Sequence, residues 1–283
     1  MIYLLTSVVL FSINNVLWSI YAQRINTFEL IRNRAVFTTL LVAIIYLLAV
    51  SLYSLPTHSA VLVEVFYVSI VGFVGLYFLV LGFKYGTILQ FSVYSLLTAF
   101  GIGIVTQYKN IMDLQHNVLS LAFIALGYLT FSYYQFYNTG DVKNQIKAHV
   151  YFILAHVFFS GLVFLQWTYL TKVSSIELAF VQEIVVLLIS SILVLKANGK
   201  KIVAIEFKLH WSQYLLLAVP ISAAVLLNLQ GLKATNPFYA ALIGLLTPLL
   251  TVVIGVFITK ETIKPLAILG FIIMFIGFCL FFI

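Results

Sequence analysis

The chain has 283 residues, of which 63% are hydrophobic and only 8% are charged. A soluble globular protein carries about 25% charged residues, so this composition excludes a soluble enzyme, a disordered protein and a fibrous protein. The apolar runs are long and continuous, which favours membrane-spanning helices over the short alternating segments of a β-barrel. The net charge of +7 is spread over the connections between these runs, as in membrane anchoring, and does not indicate nucleic-acid binding.

Ten segments are apolar for about the 20 residues that a helix needs to cross a bilayer. They lie at 1–21, 28–50, 60–84, 87–107, 116–136, 149–170, 175–196, 211–232, 237–259 and 265–283. Two of them begin with a capping box, in which a polar cap is followed three residues later by Glu: Asn26 with Glu29, and Ser174 with Glu177. The sequence therefore predicts an all-α integral membrane protein with ten transmembrane helices.

An internal repeat runs along the chain at a spacing of 149 residues. The matching pairs are Trp18 and Trp167, Gly82 and Gly231, Lys84 and Lys233, and Thr98 and Thr247. The two capping boxes match at a spacing of 148. Residues 1–137 and 149–283 then form two five-helix repeats joined by 138–148. Because five is odd, the second repeat enters the membrane from the opposite side, which predicts two inverted repeats of the kind found in secondary transporters.

Short motifs in both halves resemble a known family. The second half contains Leu-Leu-Thr-Pro at 245–248, Thr-Lys-Glu-Thr at 259–262, and Gly270 and Gly277 in the last helix. The first half has Glu-Leu-Ile-Arg-Asn-Arg-Ala at 29–35. These motifs resemble EamA-type domains of the drug/metabolite transporter superfamily. The resemblance implies a ten-helix, multi-pass transporter of the cell (inner) membrane. The first half departs from the pattern, since Ala99 stands where the second half has Pro248.

Two charged residues are expected near the middle of the membrane. Arg34 follows Asn26 by eight residues and Glu183 follows Ser174 by nine, which places them roughly 12 and 13 Å deep at 1.5 Å per residue. Ionisable groups at that depth are costly and are usually functional. Arg34 can hold a carboxylate or phosphate, and Glu183 can hold an ammonium group or carry a proton that drives transport. The alternative is that Arg34 and Glu183 form a structural pair with each other.

Further polar and aromatic residues in the spans are candidates for a substrate cavity between the repeats. Besides Arg34 and Glu183, they are Asn14, Trp18, Tyr77, Tyr94, His156, Trp167, Asn228, Tyr239 and Thr247. Packing between helices is the alternative for the polar groups, and an interfacial aromatic belt is the alternative for the two Trp. Pro220 and Pro248 interrupt the hydrogen bonding of their helices and are candidate hinges.

The distribution of Lys and Arg predicts the orientation of the chain in the membrane. The connections after odd-numbered helices, with the adjoining helix ends, hold twelve basic residues, and the connections after even-numbered helices hold three: Lys109, Lys172 and Lys233. The positive-inside rule then places both termini outside the cell. The resemblance to the family implies both termini in the cytoplasm, and the two expectations disagree.

Together these features favour a secondary active transporter that exports small metabolites, such as amino acids, by alternating access. There is no G-x-x-x-x-G-K-[ST] motif for ATP and none of the sequence motifs of membrane-embedded enzymes, so neither catalysis nor a cofactor or metal is expected. A flippase or carrier for a lipid-linked or nucleotide-sugar-like substrate is the alternative, and a channel is the third reading. The expected partners are the small-molecule substrate and the lipid bilayer, with no nucleic acid, and the transporter is a monomer or a homodimer.

Overall fold

A computed structural model describes residues 1–53, 59–106, 114–138, 142–197, 211–260 and 264–282. These residues form eleven helices and no strand. The helices are α1 (Ile2–Tyr21), α2 (Thr27–Tyr53), α3 (Ser59–Tyr85), α4 (Ile88–Thr106), α5 (Leu114–Asn138), α6 (Val142–Tyr169), α7 (Ser175–Ala197), α8 (Trp211–Ala234), α9 (Pro237–Gly244), α10 (Leu246–Thr259) and α11 (Pro265–Phe282).

Every predicted transmembrane segment is helical in the part that the structure describes, and α9 and α10 are two parts of one segment. Eight helical segments are long and apolar enough to be candidate spans, and the apolar parts of α5 and α11 are shorter, at Val118–Tyr134 and Pro265–Phe281. The chain is therefore a multi-pass, all-helical membrane protein. One predicted boundary is wrong: α6 begins at Val142, so the described part of the connection expected at 138–148 is largely helical.

The helix starts follow the capping signals in the sequence. Ser174 and Glu177 form a reciprocal capping box, with Glu177 N–H donating to Ser174 Oγ (3.1 Å) and Ser174 N–H donating to Glu177 Oε2 (2.9 Å). Asn26 accepts a hydrogen bond from the Phe28 N–H at 3.0 Å. These bonds satisfy backbone donors that the first turn of a helix leaves unpaired, and so they fix where α2 and α7 begin.

Helices of the first half pack mainly against helices of the second half. The main contacts are α1 with α8, α3 with α6, α2 with α7, α4 with α6, and α5 with α11. Glycines permit the closest approach: a Cβ at Gly270 on α11 would lie 2.7 Å from the backbone nitrogen of Phe131 on α5. The last helix therefore needs glycine at this position because the two backbones are in direct contact.

A cluster of large buried side chains fills one end of the bundle. It lies where α1 and α3 end and where α4, α6 and α8 begin. We call five of its aromatic members, Trp18, Phe83, Phe91, Phe152 and Tyr214, the aromatic plug. Three of the rings pack closely, with centroid distances of 4.9 Å for Phe83 and Phe91 and 5.3 Å for Phe83 and Phe152. Each plug residue is at most 3% exposed, so this end of the bundle is closed.

Candidate functional site

A cavity of about 310 Å³ lies between the two halves of the chain. Its size is at the lower end of the range for small-molecule sites, about 300–1,000 Å³. Residues of α1, α2, α3 and α4 line it together with residues of α6 to α10. Trp18 and Phe91 of the plug form its floor, and it extends to Leu4 and Leu232, near the side of the bundle on which α1 begins. We call this second end the entrance.

A buried ion pair between Arg34 and Glu183 forms part of the cavity wall. The guanidinium donates in a fork, with Nη2 at 3.2 Å from Glu183 Oε2 and Nη1 at 3.4 Å from Oε1. The Thr38 hydroxyl donates to the same Oε2 at 2.5 Å. Arg34 is 2% exposed and Glu183 is 7% exposed. The two charges that the sequence places at matching depth are thus partners of each other, which is the structural pair that the sequence left as an alternative.

Trp18 and Asn14 hold the floor of the cavity in place. The Asn14 amide is oriented so that its oxygen faces the indole. The oxygen then accepts from Trp18 Nε1 at 2.8 Å, and the amide nitrogen donates to the Leu217 carbonyl at 3.2 Å. The Arg34 guanidinium carbon lies 5.9 Å from the centre of the Trp18 ring, within reach of a cation–π interaction. The ion pair on α2 and α7 is therefore in contact with the plug through α1.

His156 lies on the opposite side of the cavity from α2, at the contact of α6 with α4. Its Nδ1 lies 2.9 Å from Thr98 Oγ1. The His156 carbonyl accepts from Ser160 Oγ at 2.8 Å, and the same hydroxyl lies 3.3 Å from the Thr98 carbonyl. A polar contact between α4 and α6 thus faces the cavity.

A pair of glutamines also lines the cavity, and the sequence analysis missed it. Gln166 Nε2 on α6 donates to Gln182 Oε1 on α7 at 3.2 Å. The available signal was position, since Gln182 precedes Glu183 and shares its depth in the membrane. Polar groups at that depth are expensive whether or not they are charged.

The structure places the predicted site residues in two groups. The residues that line the cavity are Asn14, Trp18, Arg34, His156, Glu183, Asn228, Thr247 and Pro248. Four predicted cavity residues, Tyr77, Tyr94, Trp167 and Tyr239, lie elsewhere, and so does the candidate hinge Pro220.

Two of these tyrosines, one partly buried and one fully buried, are not among the residues that line the cavity. Tyr77 stacks on Phe28, with ring centroids 4.9 Å apart. Tyr94 is 2% exposed, and its hydroxyl bonds to His149 Nδ1 and, at 3.1 Å, to the Tyr128 hydroxyl. Their place in the cavity was wrongly expected because the sequence gives depth along a helix and does not give the direction of the side chain.

Trp167 and Tyr239 lie on the outer surface of the bundle, 42% and 51% exposed. The spacing of 149 paired Trp167 with the buried Trp18. At the spacing of 148 set by the capping boxes, Trp18 matches Gln166, which does line the cavity. One residue turns a helix by about 100°, which is enough to move a side chain from an inner face to an outer one.

The two prolines differ in their effect on the helices. Pro248 follows the interruption at Leu245 that separates α9 from α10, and it has no N–H to donate to the Gly244 carbonyl. Pro220 lies inside α8, which continues without a break. The interrupted helix is thus the one that contributes Gly244, Thr247 and Pro248 to the cavity wall.

Comparison with known proteins gives a family for the second half of the chain. Residues 146–283 match the model of the EamA-like transporter family. This segment is an EamA-like transporter domain. The match confirms the resemblance read from the motifs at 245–248 and in the last helix. Glu261, in the motif at 259–262, lies outside the described residues.

A solved structure, described as "Crystal structure of protein", shares the fold over both halves. It aligns with a TM-score of 0.63 and covers 97% of this chain and 96% of that chain, at 14% sequence identity. At this identity the likeness shows the fold alone. No curated protein matches the chain in sequence. The family match at 146–283 together with the apolar helices supports a multi-pass membrane protein.

Proposed function

We propose that this chain is a secondary active transporter of the inner membrane that exports small metabolites, such as amino acids, by alternating access. The observation that carries the proposal is the cavity between the halves, closed at one end by the aromatic plug and extending to the entrance at the other. A cavity that extends toward one side of a membrane protein and is blocked toward the other fits one state of such a cycle.

The packing of the helices supports an inverted repeat. If the five helices of each half correspond in order, the contact of α1 with α8 corresponds to that of α6 with α3, and both occur. The details correspond as well. A Cβ at Gly82 would meet the Phe152 ring at 2.5 Å, and a Cβ at Gly231 would meet Leu4 Cγ at 2.6 Å. At each glycine, a side chain from the other half of the chain packs against the helix backbone.

A second pair of contacts supports the same correspondence. Ser12 Oγ on α1 lies 3.1 Å from the Thr247 carbonyl oxygen, and Ser160 Oγ on α6 lies 3.3 Å from the Thr98 carbonyl oxygen. The two serines are 148 residues apart and the two threonines are 149 apart. The offset thus grows by one residue between the first and fourth helices of the repeat, which explains why the capping boxes and the threonines give different spacings.

Exchange of the conformations of the two halves would convert this state into its opposite. The contact between α3 and α6 at the plug would then resemble the present contact between α8 and α1, and the entrance would close. Arg34 and Glu183 occupy equivalent positions to within one residue, so their contact maps onto itself in the exchange. We propose that the pair is a fixed pivot around which the halves rock, present in both states.

Coupling to protons through Glu183 is part of the proposal. Glu183 accepts hydrogen bonds from Arg34 and from Thr38 as a carboxylate. A proton arriving on Glu183 would neutralise it and weaken its hold on Arg34, which links proton uptake to the pivot. Glu183→Gln protein that keeps full dependence of transport on a pH gradient would contradict this coupling.

Transport by purified protein in liposomes tests the proposal. Labelled substrate is added outside vesicles loaded with a large excess of the same unlabelled amino acid, taken in turn from a panel. A transporter is expected to accumulate the label transiently by exchange and to saturate as substrate concentration rises. Flux that grows linearly with concentration, with no exchange, would indicate a channel and would contradict alternating access.

A further inference from the structure

A row of aromatic rings lies along the outer seam between α3 and α6. The ring centroids of Tyr85 and Tyr151 are 6.0 Å apart. Those of Tyr151 and Phe78 are 6.1 Å apart, and Phe78 lies 6.0 Å from Phe158. All four rings are half-buried, and we call them the seam row. On α6 the row borders a face of exposed apolar residues: Ile146, Val150, Ile153 and Val157. In a membrane-spanning helix such a face contacts acyl chains, so the seam row lies at the edge of the lipid.

Two lysines lie at the end of the seam row that is nearest to the closed end of the bundle. Lys147 Nζ is 4.9 Å from the centre of the Tyr85 ring, within reach of a cation–π interaction. Lys143 precedes Lys147 by four residues and so projects from the same face of α6. Lys143 also lies in the first turn of α6, where the helix dipole disfavours a cation and attracts an anion. An apolar row therefore ends at a positively charged pair.

The entrance shows a similar lysine for which the protein supplies the anion. Lys172 Nζ lies 5.2 Å from the centre of the Tyr169 ring and 3.5 Å from Glu64 Oε2. Within the described residues, neither Lys143 nor Lys147 forms an ion pair with a carboxylate. Helix α6 contains no Asp or Glu, and the acidic residue of α3 is Glu64, at its other end. An anion from outside the chain would complete the same arrangement at the seam.

Basic side chains surround this end of the bundle. Among the described residues, those that are exposed or half-buried there are Arg24, Lys84, Lys143, Lys147, Lys196, Lys260 and Lys264. The acidic residue at the same end of the described helices is Glu29. The excess of positive charge is thus at the ends of the spans, where the phosphate groups of lipids lie, and it attracts anionic headgroups.

We propose that an anionic phospholipid binds along the seam between α3 and α6, with its phosphate on Lys143 and Lys147 and an acyl chain along the seam row. A lysine binds phosphate as a point charge, and the half-buried rings offer the chain an apolar surface. The lipid would contact both helices beside the packing of Phe152 on Gly82, and it would therefore stabilise the closed end. The site is on the outer surface of the bundle, so it does not depend on the substrate or on transport.

Thermal unfolding of the purified, delipidated full chain in detergent tests the proposal. Dioleoyl phosphatidylglycerol and dioleoyl phosphatidylcholine, which share their acyl chains, are titrated separately. A ligand of the folded state raises the unfolding temperature. We expect phosphatidylglycerol to reach half of its effect at a concentration at least about tenfold lower, because each lysine near the headgroups contributes about fivefold. Equal responses to the two lipids would overturn the proposal. Glycerol 3-phosphate, the anion without chains, should have no effect, and a shift as large as that of the lipid would contradict a role for the seam row.

A matched pair of double variants locates the headgroup. Lys143→Gln with Lys147→Gln removes two charges at the seam. Lys260→Gln with Lys264→Gln removes two charges where α10 ends and α11 begins, and Lys264 Nζ also lies over a ring, 5.9 Å from the centre of Tyr134. The first variant is expected to lose the preference for phosphatidylglycerol and the second to keep it. A preference that survives in the first, or that falls equally in both, would overturn the proposal.

A second pair of variants tests the aromatic part of the site. Tyr85→Leu removes the ring beneath Lys147 and should weaken the response to phosphatidylglycerol about threefold. Tyr67→Leu makes the same change at an exposed tyrosine nearer the other end of α3 and should leave the response unchanged. Equal responses in the two variants would contradict the site. A dimer in detergent that dissociates on Lys143→Gln with Lys147→Gln would assign the seam to a second copy of the chain and would also overturn the proposal.

Discussion

If the two halves are inverted repeats, the two ends of the cavity are built from corresponding helices, and they differ in the side chains that meet there. At the closed end the plug fills the space, and polar contacts between α4 and α6 reinforce it, with Gln90 bonded to Gln145 and Tyr94 to His149. At the entrance, the smaller polar side chains of Ser7 and Asn228 line the cavity. We expect side-chain volume at the helix ends to decide which end closes more tightly, because larger side chains meet at the plug than at the entrance.

The two glycine contacts show the same difference on a smaller scale. Gly82 faces Phe152, a ring that is 0% exposed and wedged between Phe83 and Phe91. Gly231 faces Leu4, a smaller side chain that is 1% exposed, and a Cβ at Gly231 would also lie 3.2 Å from the Leu4 backbone nitrogen. The closed end, where an aromatic ring fills the contact, is therefore expected to be the more rigid of the two.

Breaking the ion pair between the two ends should have the largest effect. Glu183→Ala leaves Arg34 as a buried charge without its partner, and we expect a loss of about 3–5 kcal/mol in the free energy of unfolding. Unfolding in a series of detergent mixtures measures it. The control is Glu64→Ala, which breaks the half-exposed pair with Lys172 at 3.5 Å and should cost at most about 1 kcal/mol. Equal losses in the two variants would show that Arg34 and Glu183 do not form a buried pivot.

Alanine in place of either glycine should have an intermediate effect on stability, and the size of the effect should distinguish the two ends. Gly82→Ala forces a methyl group against the Phe152 ring, for which overpacking costs about 1–3 kcal/mol. Gly231→Ala should cost less, because the aliphatic Leu4 side chain can shift more easily than the Phe152 ring, which packs against Phe83 and Phe91. Gly161→Ala is the control, since a Cβ there meets no atom within 4 Å. Thermal unfolding ranks the three, and a larger loss for Gly231→Ala than for Gly82→Ala would reverse the assignment of the rigid end.

Removal of one hydroxyl at the closed end should have the smallest effect. Tyr94→Phe keeps the ring and deletes the bonds to His149 and Tyr128, for a cost of about 1–2 kcal/mol. Because this weakens only the closed end, we also expect the protein to spend more time open on that side. Faster labelling of a cysteine placed at Gln90 would report this shift, and unchanged labelling would show that the plug alone keeps that end closed.

The sequence predicts the helices and the depth of the charged residues because both depend on composition and on counting along the chain. The capping box at Ser174 and the charges Arg34 and Glu183 are examples. The sequence fails where rotation about a helix axis matters: Trp167 and Gln166 are neighbours with opposite surroundings, and a repeat spacing uncertain by one residue cannot distinguish them. It also cannot show that two charges at equal depth bond to each other rather than to a substrate.

The orientation of the chain in the membrane stays a prediction. Four of the basic residues that enter the Lys and Arg distribution, Lys109, Lys200, Lys201 and Lys208, lie outside the described residues. In the described part, Lys172 and Lys233 are exposed on the side of the entrance. If the positive-inside rule holds here, the entrance faces the outside of the cell, and if the family resemblance holds, it faces the cytoplasm.

Labelling of one cysteine in the cavity from each side of the membrane tests the central claim most directly. The protein would carry Asn228→Cys at the entrance, with the native Cys279 replaced by Ser. We predict that in sealed vesicles without substrate a membrane-impermeant thiol reagent modifies Asn228→Cys from one side only, and that transported substrate slows the reaction. The reacting side also gives the orientation. Equal reaction from both sides at once would mean an open pore and would contradict a cavity that opens to one side at a time.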